Sequence, residues 1–221
     1  MTGREAILGK LRARLGGDEA ARASAVADRL GKPVRGLIPA RAQLPDRERV
    51  ALFCDMAEKA AASVVRVRNA DQVPKAVGDY LRSKNLPASI RMGGDRRLKA
   101  LPWARLKSLE FKAGPSDGYD EAGISHAFAG IAETGTLVLH SGSDNPTTIN
   151  FLPEHHIVVV DAADVTGDME AVLTRIRRKF GKGEMPRTLN FVTGPSRSGD
   201  IEQKLILGAH GPRGLHVIVV G

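Results

Sequence analysis

Residues 157–179 read IVVVDAADVTGDMEAVLTRIRRK, and this stretch decides the fold class. The apolar run at 157–160 has the length and the β-branched composition of a buried strand. Asp168 is a helix-capping residue, and a helical pattern continues from it to Lys179. A second strand-like segment, LNFVT at 189–193, follows that helix. Strands that alternate with helices predict an α/β fold with a layered, mainly parallel sheet.

The same alternation extends over most of the chain. Further strand-like segments occur at 63–67, 88–92, 109–112, 136–139 and 215–220, and helical patterns occur at 46–61, 71–84 and in part of 95–107. The first part of the chain differs, because two helical patterns precede a segment that is rich in proline. We therefore expect an N-terminal helical arm and linker at 1–45 and an α/β domain at 46–221.

Charge favours anionic partners. Lys and Arg total 33 against 25 for Asp and Glu, a formal net charge of +8 over 221 residues. The basic stretches at 91–107 and 175–182 contain one aromatic residue each, Trp103 and Phe180, and no recognisable nucleic-acid-binding motif, which favours solvated or protein-docking faces over nucleic-acid binding. The longest apolar runs are of strand length, so we expect no membrane span.

The chain contains one cysteine, Cys54, within a helical pattern. It therefore has no internal disulfide, and this chain alone cannot ligate an iron–sulfur or zinc–thiolate cluster. His155 and His156 are adjacent, so in a strand they point to opposite faces and do not share a metal. We expect no metal, no cofactor and a cytoplasmic location.

The first segment that could carry chemistry is Glu133-Thr134-Gly135-Thr136, at the entry to a strand. A carboxylate beside hydroxyls and backbone amides is a candidate general base, so Glu133 is a candidate catalytic residue and the next three residues are candidate ligand-binding residues. The alternative is a turn in which these side chains satisfy local backbone groups. The sequence leaves both interpretations open.

The second segment is GPSRSGD at 194–200, directly after a strand. Arg197 is a candidate catalytic or anion-holding residue, and Gly194, Ser196 and Asp200 are candidate ligand-binding residues, because amides, hydroxyls and a guanidinium together receive a carboxylate or phosphate. The alternative is a Gly-Pro turn followed by a helical turn that Asp200 caps. The segment is not a P-loop, since Asp200-Ile201 replaces the required Lys-Ser/Thr pair.

The third segment is GAHGPRG at 208–214, which precedes the last strand. His210 is a candidate catalytic residue and Gly211 a candidate ligand-binding residue; the alternative is a histidine that bonds a carbonyl in a tight turn. Together with HSGSDNP at 140–146, these loops are expected at the carboxyl edge of the sheet. We predict that Glu133, Arg197 and His210 share one small anion-sized cleft.

Three motifs in this order, ETGT at 133–136, GPSRSGDIE at 194–202 and GAHGP at 208–212, resemble the LUD (lactate utilisation) domain family. The resemblance implies a fold like that of ribose-5-phosphate isomerase, glucosamine-6-phosphate deaminase and the coenzyme A transferases, with 46–221 as the LUD domain. It also implies a role in oxidising L-lactate to pyruvate with two iron–sulfur partner proteins.

Three functional hypotheses follow, of which the third is nucleic-acid binding through the basic stretches, with an affinity that falls steeply with added salt. The first is a component of a lactate-oxidising system that binds a small carboxylate or phosphate, or a partner, without a redox cofactor of its own. The second is an independent enzyme that resembles a phosphosugar isomerase or a coenzyme A transferase, with Glu133 as base or acyl acceptor and Arg197 holding the anion. The sequence leaves open whether the chain is an enzyme.

Overall fold

The computed structural model describes residues 2–16, 18–32, 36–181, 183–201 and 204–221, and the side chains of 200, 201, 204 and 205 lie outside this description. Within the described residues, no helix combines the length and the apolar composition that a bilayer crossing requires.

The helices and strands alternate along the chain after the first two helices. The α-helices are α1 Gly3–Leu15, α2 Glu19–Gly31, α3 Asp46–Lys59, α4 Val73–Ser83, α5 Arg96–Lys99, α6 Thr147–Phe151 and α7 Met169–Phe180. The strands are β1 Ser63–Val67, β2 Ser89–Met92, β3 Glu110–Ala113, β4 Ala122–His126, β5 Ala129–Ile131, β6 Thr136–His140, β7 His155–Asp161, β8 Val165–Thr166, β9 Leu189–Val192, β10 Arg197–Ile201, β11 Lys204–Leu207 and β12 Gly214–Val220.

The main sheet has six strands in the order β1-β12-β7-β4-β2-β3, and every neighbouring pair is parallel. The residues of β7 show which helix packs on each face of this sheet. Val158 and Val160 pack in a cluster with Phe53 of α3, whereas Ile157 and Val159 pack in a cluster with Val77 of α4. Because side chains alternate along a strand, the run IVVV covers both faces with apolar groups, as a sheet between two helical layers requires.

A second sheet has the order β8-β5-β6-β9, with β6 antiparallel to both of its neighbours. Val172 and Ile176 of α7 pack on this sheet against Ile131 and Val138. A separate antiparallel hairpin joins β10 to β11. The sequence-based prediction of an α/β fold with a mainly parallel central sheet is confirmed.

Several local predictions differ from the structure. The sequence does not predict β4 and β5, because AGISH and AGI are too short and too rich in small residues to show a strand pattern. The expected helical turn at Asp200 is instead part of β10, whose backbone pairs with β11.

Contacts divide the chain into two units, 1–37 and 38–221, so the division falls before the expected start of the domain at Asp46. The residues in between belong to the larger unit because they bond to it. Arg41 Nη2 donates to the carbonyl of Glu133 at 3.0 Å, and Gln43 Nε2 donates to Asp168 Oδ2 at 2.9 Å. Ala42 is buried.

Candidate functional site

A cavity of about 270 Å³, here called the turn cavity, opens where two of the glycine-rich loops meet. It is lined by segments 191–197 and 210–212 and by Asn150, Phe151, His156 and Leu215. His156 and Leu215 are each the second residue of their strand, so the cavity lies at the amino edge of the main sheet.

Ser196 joins the two loops of the turn cavity. Its backbone amide donates to the carbonyl of Pro212 at 2.8 Å, and its carbonyl accepts from the amide of Gly208 at 3.0 Å. Its hydroxyl accepts from the amide of His210 at 3.2 Å. These three bonds hold Arg197 and His210, which flank the β10–β11 hairpin, on the same rim.

The end of α3 fixes the other side of these loops. A Cβ atom on Gly135, whose φ is +67°, would lie 2.2 Å from the backbone nitrogen of Ala57. Gly194 packs in the same way on Ala60, and Arg197 Nη2 donates to the Ala60 carbonyl at 2.9 Å. Glycine is required at both turns because any side chain would collide with helix backbone.

A chain of hydroxyl groups leads from the ETGT segment to the turn cavity. Thr134 Oγ1 lies 2.6 Å from Thr136 Oγ1, which lies 2.7 Å from Thr193 Oγ1. Of these three threonines, Thr193 lines the turn cavity. Thr134 and Thr136 therefore do not line the cavity and are linked to it only through the hydroxyl of Thr193.

Glu133 has a different environment from the one its sequence context predicts. It is 8% exposed, and its Oε1 accepts from the backbone amide of Met169 at 3.2 Å. Met169 is the first residue of α7, where a carboxylate stabilises the positive end of the helix dipole. Glu133 is not among the residues that line the turn cavity.

A buried polar network lies behind the turn cavity. Ser125 Oγ donates to Asn150 Oδ1 at 2.9 Å and lies 3.0 Å from His156 Nε2. Burial lowers the pKa of His156 to about 3, because the imidazolium would have to form away from water. His156 is therefore neutral at physiological pH.

A second cavity, of about 520 Å³, lies at the opposite edge and is called here the carboxyl-edge cavity. It is lined by segments 94–97 and 143–145 and by His126, Phe128, His140 and Lys179. His126 is the last residue of β4, and segment 94–97 follows β2. The cavity thus occupies the carboxyl ends of parallel strands, the usual ligand position in open α/β sheets.

The carboxyl-edge cavity combines cations with histidines that favour the neutral form. Burial, and then the nearby Arg97, lower the pKa of His126; burial, and then Lys179, lower the pKa of His140. Arg97 Nη2 also lies 2.9 Å from Asp95 Oδ2. In the part of the chain that the structure describes, no three His, Cys, Asp or Glu side chains group as metal ligands.

Comparison with known proteins identifies the half of the chain that contains most of both cavities. The family model of the LUD domain matches residues 120–220. These residues form a LUD domain. The resemblance predicted from the three motifs is therefore confirmed for this part of the chain.

The LUD domain is similar to curated proteins called lactate utilization protein C. The relative from Geobacillus thermodenitrificans is 40% identical over 107 residues, which are 47% of this chain and 45% of the relative. The relative from Shouchella clausii is 34% identical over 100 residues, 45% of this chain and 44% of the relative. The chain thus spans less than half of the length of these relatives in the matched region.

A solved structure is similar over more of the chain. It is a DUF162 family protein from Deinococcus radiodurans, 25% identical, with a TM-score of 0.60. The match covers 80% of this chain and 99% of that chain. The similarity in fold therefore extends beyond residues 120–220.

The LUD domain brings together some of the predicted site residues. Arg197 and His210 line one cavity, and so do the predicted ligand-binding residues Gly194, Ser196 and Gly211. The side chain of Asp200 lies outside the described residues. Catalytic roles for Glu133, Arg197 and His210 stay predictions.

The sequence predicts that the glycine-rich loops lie together at the carboxyl edge of the sheet, but the structure places them at two different cavities. Because β6 and β9 are antiparallel, with Leu137 opposite Val192 and His140 opposite Leu189, the segments that follow them leave at opposite ends. Segment 143–145 therefore lines the carboxyl-edge cavity, whereas 194–197 lines the turn cavity.

Sequence reasoning missed the two residues of the turn cavity that belong to the buried polar network, Asn150 and His156. The sequence presents His156 only as a potential metal ligand, and no motif marks Asn150. The signal for His156 was its place within an apolar strand, EHHIVVV, since a histidine buried in a sheet core needs a polar partner. Asn150 carries no such signal, because its partners are distant in sequence.

Proposed function

We propose that the chain is a component of an L-lactate utilisation system and that it binds a small anion in the turn cavity. The observation that carries this proposal is the 34–40% identity of its LUD domain to proteins named lactate utilization protein C. The positive rim formed by Arg197 supports it, since a guanidinium pairs well with a carboxylate.

Iron–sulfur subunits are the partners that this proposal requires for the oxidation of L-lactate to pyruvate. The chain has a single cysteine, Cys54, which is half-buried and whose pKa is raised by burial. One thiol does not ligate a cluster, so electrons would be accepted by clusters held in other chains. The same proposal places the chain in the cytoplasm, which cell fractionation tests.

Deletion of the gene in its native host tests the proposal. We expect growth on L-lactate to be lost in the deletion strain and restored by the wild-type gene, and growth on pyruvate to be kept throughout. Affinity purification of the tagged full chain should also bring down proteins with the visible absorbance of iron–sulfur clusters. Undiminished growth of the deletion strain on L-lactate would contradict the proposal.

The carboxyl-edge cavity favours a second candidate function, an independent phosphosugar isomerase-like or coenzyme A transferase-like activity. Its volume of about 520 Å³ suits a larger ligand, and Arg96, Arg97 and Lys179 supply cations for a phosphate. We expect purified chain to turn over a phosphosugar or an acyl-coenzyme A under this alternative. Equal turnover by wild type and Lys179→Ala would count against it.

A further inference from the structure

Two buried polar atoms of the turn cavity have no hydrogen-bond partner among the described residues. They are Nδ2 of Asn150, which is 1% exposed, and Nδ1 of His156, which is 0% exposed. Both residues line the cavity. Buried polar groups in proteins are nearly always paired, so these two atoms are the polar groups of the cavity lining that a ligand in the cavity would pair with.

Hydrogen bonding around Ser125 determines which atom donates and which accepts. Ser125 Oγ uses its one proton to donate to Asn150 Oδ1, so its contact with His156 requires Nε2–H to donate to Oγ. Neutral His156 then carries a lone pair on Nδ1. Asn150 presents Nδ2–H as a donor, because its oxygen already accepts from Ser125.

The cavity wall therefore offers one acceptor and one donor. A hydroxyl group satisfies both, because it donates to His156 Nδ1 and accepts from Asn150 Nδ2. A keto oxygen accepts but does not donate, and an alkyl group does neither. At about 270 Å³ the cavity lies just below the volumes typical of drug-sized ligand sites, which fits a small acid.

We propose that the turn cavity selects a short hydroxycarboxylate, with the hydroxyl on Asn150 and His156 and the carboxylate towards Arg197. This inference rests on the proposed function and adds to it that the chain binds the hydroxy acid in preference to the corresponding keto acid. The chain would thus hold the substrate of lactate oxidation rather than its product.

Calorimetric titration of the full chain with L-lactate, pyruvate and propionate tests the proposal. These acids share a three-carbon carboxylate and differ at the second carbon, which bears a hydroxyl, a keto oxygen or only hydrogen. We expect L-lactate to bind about tenfold or more tightly than either of the others, since each of them leaves a buried polar group unpaired. Equal affinities, or no binding of L-lactate, would overturn it.

A pair of asparagine variants gives a matched control. Asn150→Leu removes the cavity donor, whereas Asn190→Leu removes another buried amide whose Nδ2 lacks a partner but which does not line the cavity. We expect Asn150→Leu to narrow the difference in affinity between L-lactate and propionate, because only the contact with His156 Nδ1 remains, and Asn190→Leu to leave that difference unchanged. If Asn150→Leu does not fold, the titration of the wild-type chain with the three acids still tests the proposal.

The inference and the proposed function fail separately. A deletion strain that cannot grow on L-lactate, with a purified chain that shows no preference for the hydroxy acid, would overturn the inference and leave the proposed function standing. Normal growth of the deletion strain, with a clear preference for L-lactate in titration, would overturn the proposed function and leave the inferred binding preference standing.

Discussion

Gly194 packs so closely on the end of α3 that a Cβ atom on it would lie 2.0 Å from the carbonyl oxygen of Ala60. Its φ of +74° is also in the left-handed region. The turn that carries Arg197 is therefore built directly on a helix end, and its position does not depend on side-chain packing alone.

The first prediction concerns this contact. Gly194→Ala should lower the free energy of unfolding by about 1–3 kcal/mol or more, because it combines strain at positive φ with a backbone collision. Gly199→Ala is the control, since nothing lies within 4 Å of a Cβ atom there. Urea unfolding of both variants is the measurement, and equal stabilities would contradict the prediction.

The second prediction concerns Arg197. Because this guanidinium is exposed, we expect Arg197→Ala to weaken the binding of L-lactate, pyruvate and propionate by a similar factor, about three- to tenfold, at low salt. The difference between the three acids should survive. Arg96→Ala, at the carboxyl-edge cavity, should leave all three affinities unchanged. Loss of selectivity without loss of affinity in Arg197→Ala would argue against this role.

The third prediction concerns pH. Burial lowers the pKa of His156 to about 3 and that of His216 to about 4, from 6.5 in the unfolded chain. Below pH 6.5 the unfolded chain takes up protons that the folded chain does not. The stability that these two histidines contribute is therefore fully present above pH 6.5. It falls as the pH drops towards 4, and the free energy of unfolding changes by about 1.4 kcal/mol per pH unit for each histidine.

Denaturant unfolding between pH 7.5 and 5 measures this slope. His216→Gln should make the slope shallower, because it removes one of the two buried histidines. An identical slope in wild type and His216→Gln would show that His216 does not resist protonation in the folded chain.

The fourth prediction separates two roles of Glu133. If its carboxylate stabilises the start of α7, Glu133→Gln should lower the free energy of unfolding by about 0.3–1 kcal/mol, because an amide oxygen still accepts from Met169 but carries no charge. Affinity for L-lactate should not change. A large loss of turnover on a phosphosugar or acyl-coenzyme A, with normal stability, would instead support a catalytic base.

Strands β1, β7 and β12 of the main sheet were predictable because each is a local apolar run. Ile157, Val158 and their neighbours in β7 fix both faces of the sheet by themselves, and the spacing of capped helices fixes the alternation. β4 was not predictable, because AGISH has two small residues and two polar ones and is buried only by its neighbours.

The site was predictable in part, for a similar reason. Arg197 and His210 could be predicted because each lies in a glycine-rich turn that is visible in the sequence. The Ser125–Asn150–His156 network depends on contacts between β4, α6 and β7, which no local pattern encodes. The separation of the two cavities depends on the antiparallel pairing of β6 with β9, which alternating strands and helices do not predict.

The place of β12 in the main sheet has a consequence for biosynthesis. This strand lies between β1 and β7, and its residue His216 pairs with Ser63, which is 153 positions earlier in the chain. A ribosome must therefore translate nearly all of the domain before the middle of the sheet closes. Until then β1 and β7 each present an unpaired apolar edge, so the nascent chain should depend on chaperones that shield such edges from aggregation.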